Sequence, residues 1–167
     1  MGRRNVGTQP YAVALSPKGE QAHVSAWAGS AVDAVNAATG ATIARITTRP
    51  HPNALLISPD CAPLSVACAT DNTADAVDLK SNVVRAKYDV ALTPNSPEGS
   101  TPDGLALSTD GKTLFVADAG NNASGALDLA SGQVTGAVPL GWSPTDVRVT
   151  RNASHLLACH AHGSRAP

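Results

Sequence analysis

A proline-led segment occurs four times in this chain: Pro10-Tyr11-Ala12-Val13-Ala14-Leu15-Ser16-Pro17, Pro52-Asn53-Ala54-Leu55-Leu56-Ile57-Ser58-Pro59, Pro102-Asp103-Gly104-Leu105-Ala106-Leu107-Ser108-Thr109 and, more weakly, Pro144-Thr145-Asp146-Val147-Arg148-Val149-Thr150-Arg151. The leading prolines stand 42, 50 and 42 residues apart. A period near 42 with one insertion of eight residues marks tandem structural units, so the fold is an array of similar pieces.

Each unit carries a strand period. In the third, Leu105-Ala106-Leu107 runs to a turn at Asp110-Gly111, followed by Leu114-Phe115-Val116-Ala117. Asp-Gly between apolar runs predicts a hairpin, because glycine accepts the positive φ of a tight turn. Further turns are expected at Ala119-Gly120-Asn121-Asn122 and Ser131-Gly132, with strands at 125–129 and 134–138. A unit therefore reads as a four-stranded antiparallel meander, the size of a β-propeller blade. Thirty alanines among 167 residues invite a helical reading. It fails because Gly, Pro, Asn or Asp clusters interrupt the chain about every 8–12 residues, too often for helices of ordinary length. The expected fold class is all-β: a partial β-propeller of about three and a half four-stranded antiparallel blades forming one domain over 1–167, with repeats at about 10–51, 52–101, 102–143 and 144–167.

These residues resemble the YVTN-type β-propeller repeat. Leu107-Ser108-Thr109-Asp110-Gly111-Lys112-Thr113-Leu114-Phe115-Val116-Ala117-Asp118 follows its pattern, and the likeness extends over nearly the whole chain. Three stretches, His51–Asp60, Pro97–Ser108 and Pro139–Thr145, are similar to a bacterial subgroup in which the propeller precedes an alkaline-phosphatase-like phosphoesterase domain. The resemblance implies that phosphoester chemistry belongs to a downstream domain, so no catalytic residue carries over to this chain. It also implies a ring of about seven blades, and a periplasmic or secreted full-length protein. Departures from the repeat are directional: Asp60-Cys61-Ala62-Pro63 replaces an Asp-Gly-Lys turn, and aromatic and valine positions are often alanine, serine or histidine, as in Ala22-His23-Val24, Leu64-Ser65-Val66 and Ser124-Gly125-Ala126-Leu127. These changes remove glycine's freedom and buried area, so the second unit is expected to be the least secure.

Twelve basic and thirteen acidic residues give a net charge of −1, with no basic run beyond Arg3-Arg4. Nucleic-acid partners and anionic membrane surfaces need clustered Lys and Arg, so neither is expected. No stretch reaches the ~20 apolar residues of a membrane-spanning helix, and the first residues do not open a signal-peptide apolar region. Cys61, Cys68 and Cys159 lack Cys-x-x-Cys spacing and read as small apolar filler.

The densest metal-capable group is Cys159, His160 and His162, since on a strand the two histidines share a face. Ligands confined to one element make a poor metal site, and no cofactor is expected. Asp71, Asp75, Asp78, Asp118 and Asp128 read as turn caps rather than calcium ligands. Trp27 and Trp142 are the candidate ligand-binding residues, because blade-joining loops face a rim or channel; packing between blades is the competing role. The expected function is a noncatalytic repeat module, a scaffold or a protein- or ligand-binding surface that is a fragment of a larger propeller protein, with self-association or a partner chain at the exposed terminal blades. The alternative is part of a phosphoesterase- or lactonase-type hydrolase whose ring places His51, His155 or aspartates in a shared channel.

Overall fold

The computed structural model describes residues 5–59, 63–93 and 98–161, and these form strands and turns with one 3-10 turn at Trp27–Gly29. Cys61 and His162 lie outside the described residues. Sheet I consists of β1 (Pro10–Leu15), β2 (Gln21–Ala26), β3 (Ala31–Asn36) and β4 (Thr42–Thr47). Sheet II consists of β5 (Pro52–Ile57), β6 (Leu64–Cys68), β7 (Thr73–Asp78) and β8 (Val83–Asp89). Sheet III consists of β9 (Pro102–Leu107), β10 (Thr113–Asp118), β11 (Ala123–Asp128) and β12 (Gln133–Pro139). Sheet IV is the hairpin β13 (Pro144–Val149) and β14 (Leu156–His160). Every sheet is an antiparallel meander in chain order, and every first strand begins at a leading proline.

The turns recur with the sheets. Left-handed residues close the first hairpin (Gly19, Gly111, Ala153), the second turn (Ser30, Asn72, Asn122) and the third (Gly40, Asn82, Gly132). A fourth set, Gln9, His51, Thr101 and Ser143, directly precedes the leading prolines. Side chains stabilise these turns. The hydroxyls of Ser16, Ser108 and Thr150 accept the backbone N–H of Gln21, Thr113 and His155 across the first hairpin. Asn36, Asp78 and Asp128 accept N–H groups of the third turn, at 2.8 Å from Thr39, 2.8 Å from Lys80 and 2.7 Å from Ser131.

Successive sheets meet along their first strands and splay apart toward their outer ones, which is a propeller-like arrangement. The core is built from one register of the repeat. Leu55 and Ile57 of sheet II pack with Val32 and Ile46 of sheet I, and Leu105 and Leu107 of sheet III pack against Ala67 and Ala74 of sheet II. Val147 and Val149 of sheet IV pack with Ala106, Ala117 and Phe115 of sheet III. The equivalent residues of sheet I, Val13 and Leu15, are 66% and 59% exposed. Alanines at the contacts bring the sheets close, while each fully buried leucine such as Leu64, Leu114 or Leu127 contributes about 1.5–3 kcal/mol. Sheet II packs on both sides, and every residue of β6, Ser65 included, is buried. The turn on which the expected weakness of this sheet rests, 60–62, lies outside the described residues.

Candidate functional site

Antiparallel meanders place two kinds of connection at opposite rims. One rim carries the first and third turns of each sheet. The other carries the second turns and the connectors that enter each leading proline.

On the connector rim, Trp27 follows β2 and stacks on His51, with ring centroids 3.9 Å apart and an interplanar angle of 25°. His51 precedes β5, and its Nδ1 is hydrogen-bonded to the Thr70 hydroxyl of the same sheet. Trp27 thus spans sheets I and II, which gives it a packing role. Trp142 precedes β13 on the same rim and is 48% exposed. His155 belongs to the opposite rim, where its Nδ1 meets Ser154 Oγ at 2.6 Å. The fold therefore does not bring His51 and His155 together.

Cys159 and His160 occupy adjacent positions of β14 and so project to opposite faces. The His160 ring lies over Gly141, where an added Cβ would stand 3.2 Å from Cε1. Among the described residues, no group of three or more His, Cys, Asp or Glu side chains is placed to hold a metal ion.

The residues that converge are others. In all four sheets the pairing of first and second strands shifts just after the leading proline. Such bulges bend a strand and re-aim its side chains. Here they bring Tyr11, Asn53, Asp103 and Asp146 into a polar row along the converging first strands. Asn53, only 2% exposed, donates from Nδ2 to Asp103 Oδ1 at 2.8 Å and to the Pro102 carbonyl at 2.9 Å. The Asn53 backbone carbonyl accepts the Ser25 hydroxyl at 2.9 Å. The Tyr11 hydroxyl reaches across sheet II and donates to Asp103 Oδ1 at 3.4 Å. In sheet IV, the Arg148 guanidinium donates to Asp146 Oδ1 at 2.9 Å and to the Leu105 carbonyl at 3.0 Å. Gly104 permits the tight approach of β13, since a Cβ there would lie 2.5 Å from Asp146 Cα.

Burial holds the Asp103 carboxyl above the usual carboxylate range, with the Asp146 charge adding to the effect. The Asp103 charge, together with burial, raises the Tyr11 hydroxyl in turn. In this row Tyr11, Asn53 and Asp103 form one connected set near the axis on which the first strands converge, with Asp146 beside them paired to Arg148. Asn53 is buried, and the exposed Tyr11 with the half-buried Asp103 and Asp146 gives the row oxygen atoms suited to hydrogen-bonded or cationic ligands. Sequence reasoning missed it. The available signal was the polar residue directly after every leading proline, Tyr11, Asn53, Asp103 and Thr145, with Asp146 one position further on in the fourth unit.

Together the repeated meanders, the shared axis and the polar row define a β-propeller-like protein. No protein-family model matches the sequence, and no curated protein matches it. Among solved structures, the chain is similar to one described as hydrazine synthase from Kuenenia stuttgartiensis, at 26% identity and a TM-score of 0.78. The alignment covers 92% of this chain and 43% of that one, so this chain spans less than half of that protein's length. No helix among the described residues is long and apolar enough to cross a membrane.

Proposed function

We propose that this chain is a noncatalytic β-propeller module of about three and a half blades, of the YVTN type, that serves as a binding scaffold within a larger propeller assembly. The observation that carries the reading is the axial row. Four first strands bulge just after their prolines and bring Tyr11, Asn53, Asp103 and Asp146 into one row, in which Tyr11 and Asn53 bond to Asp103 and Asp146 pairs with Arg148. Such a row recognises a partner by hydrogen bonding and charge, while the turns and cores around it serve structure. The resemblance to propellers that precede a phosphoesterase domain fits this role, with the chemistry residing outside the chain. Metal analysis together with phosphoester and lactone hydrolysis assays tests the reading. The expected result is no turnover; stoichiometric metal accompanied by turnover overturns it in favour of a propeller hydrolase.

The assembly part of the reading rests on Val13 and Leu15. Their counterparts in the other sheets are packing residues against a preceding sheet, so this exposed face has the chemistry of a sheet-to-sheet contact. A further sheet, from another copy of the chain or from additional repeats, covers it in the working protein. Sedimentation of the isolated chain is expected to give a self-associated species that Val13→Lys dissociates. A stable monomer overturns the self-association.

A further inference from the structure

A second feature, independent of the axial row and of blade number, lies at the opposite rim between sheets II and III. There a cleft of about 250 Å³ is walled by Leu56 and Pro63 on one side and Leu107 and Leu129 on the other. Ser65 forms part of its floor, and Asp110 stands at its lip. The internal repeat indicates what is missing from this space. Ser65 occupies the position held by His23 in sheet I and by Phe115 in sheet III. His23 is fully buried, and Phe115 packs with Val149 and Leu156 of the next sheet. Sheets I and III thus place a ring from their own second strand toward the following sheet, opposite Ala14 and Ala106, whereas sheet II pairs the small Ser65 with Leu56 and leaves the cleft open beside them. An apolar cavity of about 150 Å³ is enough to hold a benzene ring, so this cleft has room for a larger ring system.

Charge narrows the occupant further. Asp110 is the one charged side chain among the described residues that line the cleft. Its Oδ1 accepts the Ser108 hydroxyl at 2.6 Å and the Lys112 N–H at 3.1 Å, which holds the carboxylate on the turn beside the opening. A cationic group carried by a ring seated between Leu56 and Leu107 meets that carboxylate. We propose that this cleft binds an arylalkylamine, with the aromatic ring taking the place that Phe115 holds in sheet III and the ammonium group meeting Asp110.

Calorimetric titration of the whole chain with tryptamine tests this, with indole-3-propionate as the opposite-charge probe and indole as the neutral one. Tryptamine is expected to bind saturably at one site per chain and more tightly than indole-3-propionate. Ser65→Phe fills the cleft with the ring of sheet III, and is expected to weaken tryptamine binding about tenfold or more. Asp110→Asn retains an acceptor for Ser108 and Lys112, so the turn persists. It is expected to lower tryptamine affinity about threefold, as for an exposed ion pair, and to leave indole binding unchanged. The absence of saturable tryptamine binding, equal affinity for the two charged probes, or wild-type affinity in either folded variant overturns the proposal.

Discussion

Sheets I and II fasten their incoming connector in one way, and sheet III in another. In sheet I, Asp33 of β3 accepts the Gly7 N–H at 2.6 Å and pairs with Arg45 of β4 at 3.1 Å. Sheet II repeats the device: Asp75 of β7 accepts the Arg49 N–H at 3.0 Å, with Lys87 as its cross-strand neighbour. At the same register sheet III has Gly125 opposite Ala137, so the acid and the base are both gone. This is also where the connector is eight residues longer. Its Leu92 occupies the vacated position, close enough that a Cβ on Gly125 would stand 2.9 Å from Cδ2. The connector is held instead by sheet II, through Asn72. Asn72 Oδ1 accepts the Gly99 N–H at 3.1 Å, the Ser100 N–H at 2.8 Å and the Ser100 hydroxyl at 2.8 Å. A repeat can lose its local fastener when a neighbouring repeat supplies the hydrogen bonds, because what must be satisfied is the buried connector backbone.

If that account is right, Asn72→Ala causes the largest loss of stability among the fastener variants. It strips a partly buried connector of its acceptor and is expected to cost about 2–3 kcal/mol in a urea unfolding curve. A loss no larger than that of Asp33→Asn would break the comparison.

The ring position contrasts sheets I and III in the same spirit. Both ring nitrogens of His23 are buried without a hydrogen-bond partner, and burial pushes its pKa below 6.5. The unfolded chain then binds the proton more readily, so stability falls as pH drops below about 6.5. His23→Phe, which installs the residue of sheet III, is expected to add about 1–2 kcal/mol at pH 5 and to flatten that acid limb. Thermal unfolding from pH 5 to 8 measures both.

Asp33 and Asp75 separate sheets I and II. Asp33 has an arginine partner, whereas Asp75 is fully buried with Oδ1 unpartnered, and burial raises its pKa. With a folded pKa above the unfolded one, Asp75 costs stability above that raised pKa, and the cost is relieved as pH falls toward 3.8. At pH 7, Asp75→Asn is therefore expected to stabilise and Asp33→Asn to destabilise, each by about 1 kcal/mol. Matching signs would show that the two aspartates are energetically equivalent.

The smallest contrast concerns the third turns. The Ser131 backbone N–H holds the Asp128 carboxyl below its ordinary range, whereas Asn36 caps the equivalent turn of sheet I without charge. The Asp128 contribution is present above pH 3.8 and is lost as pH falls through the lowered pKa. Asp128→Asn is expected to remove this slight acid sensitivity from a melting-temperature profile. An unchanged profile would assign it to other carboxylates.

Much of the architecture was legible because proline, glycine and aspartate carry their geometry locally. Pro102, Asp110-Gly111 and Ser131-Gly132 mark strand starts and turns by their own conformational preferences. The aspartates at 78, 118 and 128 cap turns as read, but Asp71 pairs with the Arg49 guanidinium and the buried Asp75 accepts the Arg49 N–H, contacts that only the tertiary fold creates. The positive φ of His51, Thr101 and Ser143 was not legible. Residues before proline ordinarily favour extended backbone, and no glycine signals the exception. The axial row was hidden for a related reason. Tyr11 and Asp103 are 92 positions apart, and their meeting depends on a bulge in each strand and on how successive sheets converge.

The complete enclosure of β6 bears on the order in which this molecule comes apart. In an array stabilised through nearest-neighbour contacts, end units open alone, whereas a central unit opens only after losing one neighbour. Sheet II shares a core with sheet I on one side and with sheet III on the other. Amide protons along Leu64–Cys68 therefore exchange with solvent deuterium last, and those of the two-stranded sheet IV exchange among the first. Unfolding is expected to proceed inward as a graded fraying, with β6 the last strand to yield.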